Sequence, residues 1–262
     1  MNMEFRKKLA KPGPLLGMQC FSGSPALVEI LGHAGFEWVS LDMEHTPWDF
    51  AQIEHLARAA NASGISPLVR VADNNPILIM KALDAGTDGV IVPHINNRVD
   101  LERAISATVH PPHGVRGVCS TVRATSYSFD YGKDFFEKVR RDVVVVPLVE
   151  EKEAIDGFDD LLAVENVPVY WIGISDLAAS MGIAGADFHN PELAAIARSL
   201  AKRARAAGKD LMCTVAPRMS PDYAKYLMDL GFRLVSYGVD LSFFARSLKD
   251  LTADLRQYKP AG

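Results

Sequence analysis

A single (β/α)8 barrel with a long C-terminal helix is the fold class predicted by this 262-residue sequence. Three observations point to it. Short apolar runs, each followed by a longer segment of helical period, recur about eight times, the pattern of parallel strands joined by helices. The length suits one such barrel, which takes about 250 residues. The turn after the first run reads FSGSPAL. It lacks the GxGxxG spacing that a doubly wound nucleotide-binding sheet usually places there. Residues 1–262 are therefore read as one domain.

The strands are expected at Leu15–Cys20, Trp38–Asp42, Ser66–Arg70, Gly89–Pro93, Val143–Val149, Val169–Ile174, Asp210–Thr214 and Leu234–Gly238. Each is nearly continuous in apolar character, as parallel strands covered on both faces are. The clearest helix is PELAAIARSLAKRARAAG. Leu193, Ile196, Ala197, Leu200, Ala201 and Ala204 share one face, and the arginines and lysine fall elsewhere. Asn190 caps it, Pro191 opens its first turn and Gly208 ends it. The triplets SGI, AGT, AGK and LGF repeat that ending, a glycine closing a helix just before a strand. Residues 97 to 142 are too many for one helix and a turn, so a long functional loop is expected there. The last segment, Asp240 to Tyr258, reads as an amphipathic helix that packs on its own barrel or reaches a neighbouring subunit.

Composition excludes several function classes. A net charge of −4 argues against a nucleic-acid binder, which carries a basic stripe. No run approaches the roughly 20 apolar residues of a membrane span. The N-terminus has no apolar core of signal-peptide length. Cys20, Cys119 and Cys213 are odd in number and far apart. They read as reduced thiols, and the expected compartment is the cytoplasm.

Barrel chemistry sits at the carboxyl ends of the strands. The second strand ends in Asp42, Glu44 and His45, the third in Arg70, the fourth runs into His94, the fifth ends in Glu150 and the sixth in Asp176. The amino ends show nothing comparable, and this asymmetry predicts an enzyme. Glu150 and Asp176 leave adjacent strands. Two facing carboxylates repel unless a cation or a shared proton intervenes, and oxygen donors with room for water suit Mg²⁺ or Mn²⁺. The plainer reading is a pair of solvated acids, with Asp176 capping the helix after it. Arg70 is a forked donor for an oxyanion, or else an ion-pair partner of Glu44 or Asp42. His45 is the proton-transfer candidate, or else a satisfied polar residue. No lysine is placed for a Schiff base, so any carbonyl activation falls to a metal.

The motifs DMEH, PLVRV, AGTDGVIVPHINN, PPHGVRGV and IGISDLAASMG occur in an order that resembles the HpcH/HpaI aldolase family, over nearly the whole chain. The resemblance implies a metal-dependent pyruvate aldolase of the 4-hydroxy-2-oxo acid type. Glu150 and Asp176 would ligate a divalent cation (Mg²⁺ or Mn²⁺, with Co²⁺ or Zn²⁺ as further options). Arg70 would stabilise the pyruvate enolate, His45 would move protons through a metal-bound water, and backbone amides near Ser175 and Asp176 would hold the substrate carboxylate. It also assigns Asp84 as the partner of the histidine, although the strand order puts Asp84 at the opposite end of its own barrel. Leu148 falls where relatives often carry glutamine in the substrate lining; Ile174 and Gln19 are departures of the same kind. The implied partners are a 2-oxo acid and an aldehyde, and the implied assembly is a homo-oligomer, a hexamer built from dimers. Two rival readings are a CoA-thioester lyase of the citrate lyase β type, with Arg116 and Arg123 offering a basic groove, and a non-catalytic barrel that binds an oxo acid.

Overall fold

The computed structural model describes residues 3–216 and 218–258. Ser24, Asn75, Asn190 and Ser220 each cap a helix with the side-chain oxygen and are followed by proline at the first helical position. Proline presets the helical φ and lacks only an N–H that would go unpaired there. Gly64, Gly86, Gly208 and Gly231 adopt φ between 68° and 111°, so all four expected helix-to-strand turns use the left-handed region.

Between these punctuation marks lie eight parallel strands: β1 (Leu15–Cys20), β2 (Trp38–Asp42), β3 (Ser66–Arg70), β4 (Gly89–Val92), β5 (Val144–Val149), β6 (Val169–Ile172), β7 (Asp210–Thr214) and β8 (Leu234–Val239). They close in sequence order, β8 pairing back onto β1. The sixth strand is two residues shorter than expected. Gly173 ends it, and Ile174 already starts the helix Ile174–Ser180. Residues 97 to 142 hold two α-helices, Arg98–Thr108 and Lys133–Asp142, joined through a 3-10 turn at Arg123–Ser128.

Alternation along each strand sorts the side chains. Leu15, Trp38, Leu68, Ile91, Val144, Val146, Leu148, Trp171, Met212 and Leu234 form one apolar cluster inside the barrel. Phe5 and Leu9 of the short N-terminal helix Phe5–Leu9 join it. Trp38 and Trp171 meet edge to face at 5.9 Å. Trp38 fits because β1 offers Gly17 opposite it: a Cβ there would lie 2.1 Å from the indole. Gly17→Ala should therefore displace Trp38 and destabilise the barrel by about 1–3 kcal/mol, the usual cost of overpacking. A shift in the urea midpoint at unchanged slope measures it; an unchanged midpoint would show that the tryptophan moves freely.

The three cysteines are free. Among the described residues no helix is long and apolar enough to cross a membrane. The last helix, Asp240–Gln257, buries only Asp240. Leu241, Phe243, Phe244, Leu248, Leu251 and Leu255 are 46–63% exposed. The start of this helix meets its own barrel, where Asp240 accepts from the backbone N–H groups of Phe21 and Ser22, but the apolar stripe is left uncovered by that barrel.

Candidate active site

The inward phase of the strands carries the polar residues to one mouth. Asp42 lies four residues beyond Trp38, Arg70 two beyond Leu68 and Glu150 two beyond Leu148, each in register with an interior residue. Asp42 and Arg70 are also direct partners in the β2–β3 ladder. Asp42 is fully buried. Its Oδ2 accepts from Arg70 Nε, and its Oδ1 accepts from the backbone N–H of His45 at 2.7 Å. Glu44 adds a second carboxylate 3.0 Å from Arg70 Nη1. The ion-pair expectation for Arg70 is thus what forms, and it aims the guanidinium. Among the described residues nothing hydrogen-bonds its Nη2.

His45 is 59% exposed, and its Nε2 stands 3.6 Å from Glu44 Oε2. It faces solvent from the same loop that fixes Arg70. Glu150 is the buried acid of the site, 4% exposed at its side chain. Its Oε1 accepts the backbone N–H of His94 at 3.0 Å. Gly173 makes room for it: a Cβ there would sit 2.8 Å from the Glu150 Cβ and 2.9 Å from Oε2. Burial pushes the Glu150 carboxyl up from 4.5 to about 7, against the pull of the His94 amide and ring, with Glu44 and Asp176 adding like charge.

That shift makes folding depend on pH. The unfolded carboxyl gives up its proton near its ordinary value, whereas the folded one holds it to about 7. For this group stability is full below the unfolded pKa, falls as pH rises through the interval up to about 7, and is flat beyond it. Glu150→Gln should remove that decline from a plot of urea midpoint against pH. A wild type and variant with parallel curves would contradict it.

Asp176 and Ser175 are exposed on the first turn of the helix Ile174–Ser180, not on the strand end where the sequence placed them. First-turn N–H groups have no intrahelical acceptor, so those of residues 174–176 are open to one from outside the helix. Leu148 is buried and apolar beneath Glu150, 3.3 Å from the position a Gly173 Cβ would take. Gln19 is buried inside the mouth, its amide 3.4 Å from Thr214 Oγ1.

Asp84 is not brought to this group. It ends the helix Pro76–Asp84, before β4 begins, and pairs with buried Arg116 at 2.6 Å. Arg123 donates to the carbonyls of Ala85 and Gly86 in the same region. The two loop arginines considered for a CoA groove are thus engaged at the far end, because the long loop folds back on the helix that precedes β4.

The sequence ranks His94 below His45, yet its ring is central here. Nδ1 lies 3.3 Å from Glu150 and 3.2 Å from Glu151, and Nε2 lies 3.8 Å from Glu44. Its φ of 53° is unusual for a non-glycine residue and is sustained by these contacts. The signal available was topological: the end of the fourth strand adjoins the end of the fifth.

Among the described residues no three His, Cys, Asp or Glu side chains form a closed metal cage. The donors at hand are Glu150 and Asp176. Their charge, and the cost of keeping Glu150 ionised in its buried place, are what a divalent cation would relieve. A two-carboxylate set fits a hard cation that keeps water and substrate oxygens.

Known proteins resemble this chain over nearly its full length. The model of the HpcH/HpaI aldolase/citrate lyase family matches residues 16–247. A pyruvate aldolase of Rhizobium etli is 33% identical over 251 residues, 95% of this chain and 96% of that protein. A 5-keto-4-deoxy-D-glucarate aldolase of Salmonella paratyphi C is 32% identical over 248 residues, 95% of this chain and 94% of that protein. The crystal structure of an HpcH/HpaI aldolase/citrate lyase family protein from Burkholderia cenocepacia J2315 superposes with a TM-score of 0.89 at 28% identity, covering 97% of this chain and 99% of that one. With barrel, mouth and match extending over the same residues, the chain belongs to the HpcH/HpaI aldolase/citrate lyase family.

Proposed function

We propose that the protein is a divalent-metal-dependent aldolase that reversibly cleaves 4-hydroxy-2-oxo acids to pyruvate and an aldehyde. The observation that carries this reading is a doubly anchored guanidinium, Arg70, and a buried carboxylate, Glu150, at one mouth of the barrel, with Asp176 adding like charge to Glu150. A site with both holds an oxyanion at the first and a cation at the second. Both fit an enolate intermediate.

Glu150 and Asp176 would hold the cation, which supplies Lewis-acid polarisation of the 2-oxo group. Arg70 donates to the oxygen on which charge collects as the C3–C4 bond breaks. His45, exposed at the mouth, accepts the proton of the 4-hydroxyl as the aldehyde forms, one proton then goes to C3 of the enolate to give pyruvate, and the reverse reaction runs the same transfers backwards. The first-turn amides at Ser175 and Asp176 receive the substrate carboxylate. The free cysteines accord with a cytoplasmic setting.

Proton exchange tests the reading directly. Pyruvate in D₂O with the enzyme and Mg²⁺ or Mn²⁺ should lose its methyl proton signal, and a chelator should stop the loss. No exchange with any divalent cation would remove pyruvate as the nucleophile.

The reading includes assembly. Besides the bare face of the last helix, Leu16 on the outer wall of β1 is 37% exposed, and Ile30 on the following helix is 58% exposed. An apolar helix without a seat and an apolar wall without a cover match if each is supplied by a second copy of the chain. The resemblance implies a hexamer built from three dimers, and light scattering measures it. Leu248→Asp should lower the mass; a monomeric wild type would overturn this part. Asp84 can then act only in a neighbour's site. Hybrids of Asp84→Asn and Glu150→Gln subunits would regain activity if it does.

A further inference from the structure

The rim of the mouth carries a pair that the chemistry so far does not use. Glu151 follows the buried Glu150 but stays 39% exposed at its side chain. Both its oxygens are occupied: Oε1 faces His94 Nδ1 at 3.2 Å, and Oε2 accepts from Asn96 Nδ2 at 2.9 Å. A rim glutamate is ordinarily mobile and screened. This one is fixed in place by two residues of the loop after β4. That loop lies between Arg70 on β3 and Glu150 on β5. The aldehyde half of the substrate must pass this rim to meet the carbon that the enolate presents.

The charge there is one-sided. Asp42, Glu44, Glu150, Glu151 and Asp176 surround the mouth, with Arg70 and two imidazoles against them. Arg98, Lys152 and Arg218, which leave neighbouring loops, pair instead with Glu102, Asp156 and Asp187. A bound divalent cation and Arg70 are engaged by the 2-oxo acid end. Among the described residues, these loops offer no further arginine or lysine to meet a second carboxylate on the aldehyde. Fixed hydrogen-bonding groups, by contrast, are at hand in His94, Asn96 and Glu151.

We propose that the His94–Glu151 pair sets acceptor specificity, admitting uncharged hydroxylated aldehydes and rejecting aldehydes that carry a carboxylate. The inference rests on the aldolase reading and names the substrate class of that same site. Like charges brought together in a partly buried site are costly, and rejection by charge discriminates more sharply than loss of one favourable contact.

The test compares kcat/KM for pyruvate addition to glycolaldehyde and to succinic semialdehyde, taken as a ratio within each enzyme so that a uniform loss of activity cancels. Wild type should favour glycolaldehyde by about tenfold or more, on the order of one unpaired like-charge contact. Glu151→Gln should shrink the ratio several-fold, and Glu151→Lys should reverse it. A ratio unchanged along this series, or a wild type that prefers succinic semialdehyde, would overturn the proposal. Methyl-proton exchange of pyruvate, run on the same samples, separates the two failures. Exchange with a flat ratio sinks the specificity assignment alone. Absent exchange sinks the aldolase reading and the specificity with it.

Discussion

Glu150→Gln should lower metal-dependent turnover by about 10³-fold or more, because Lewis-acid stabilisation is worth several kcal/mol and each 1.4 kcal/mol is a factor of ten. The substitution keeps the shape that Gly173 accommodates and the acceptor for the His94 amide, and so removes the charge with little else. Removing a buried carboxylate also removes a desolvation cost, so the variant should fold at least as stably above about pH 7. Loss of activity with gain of stability is the signature of a site held under electrostatic tension. Asp176→Asn should lose turnover similarly but gain no stability, since Asp176 is exposed. Titration of Mn²⁺ by relaxation or calorimetry, alongside turnover, checks both. Full activity in either variant would sink the metal assignment.

Arg70→Lys should cost about 10²–10³-fold in kcat, the usual loss on deleting one preorganised donor to a developing oxyanion. Lysine keeps the charge, so a through-space field alone would survive the change. It cannot reproduce the fork, in which Nε engages Asp42, one terminal nitrogen reaches Glu44 and the other would be left for substrate in the proposed reaction. The variant also leaves fully buried Asp42 short of its partner, so stability should fall as well. Asp42→Asn separates the two effects: it keeps Arg70 but loosens its aim, and should lower kcat with a smaller change in KM. Equal kcat in Arg70→Lys and wild type would mean that the guanidinium is structural only.

Much of this was legible in the order of residues. Four strands begin and end where the apolar runs do, because a strand buried on both faces must be apolar throughout its length. Asp42, Arg70 and Glu150 were legible as a group because each ends such a run, and a two-residue period tells which face it shares. The sixth strand was overrun. YWIGIS is as apolar as a strand, and only the packing of the following turn converts Ile174 into the first residue of a helix. Asp176 therefore stands in the first turn of a helix. A propensity for strand gave way there to tertiary context.

His94 shows the other limit. On its own strand it is one histidine after a proline, and nothing local gives it work. Its role comes from Glu44, fifty residues upstream, and from Glu150 and Glu151, fifty-odd residues downstream; barrel closure sets all four around one mouth. The last helix is similar. Its apolar stripe was plain from periodicity, but whether its own barrel would cover that stripe depended on where the chain leaves β8. The sequence alone thus established the barrel, the end of it at which the polar residues gather and most of the residue types found there, since these follow from local period and from strand order. Tertiary structure decided which carboxylate is buried, which guanidinium nitrogens are engaged and which histidine joins the acids. Burial and distance between residues far apart in the chain exist only once the barrel has closed.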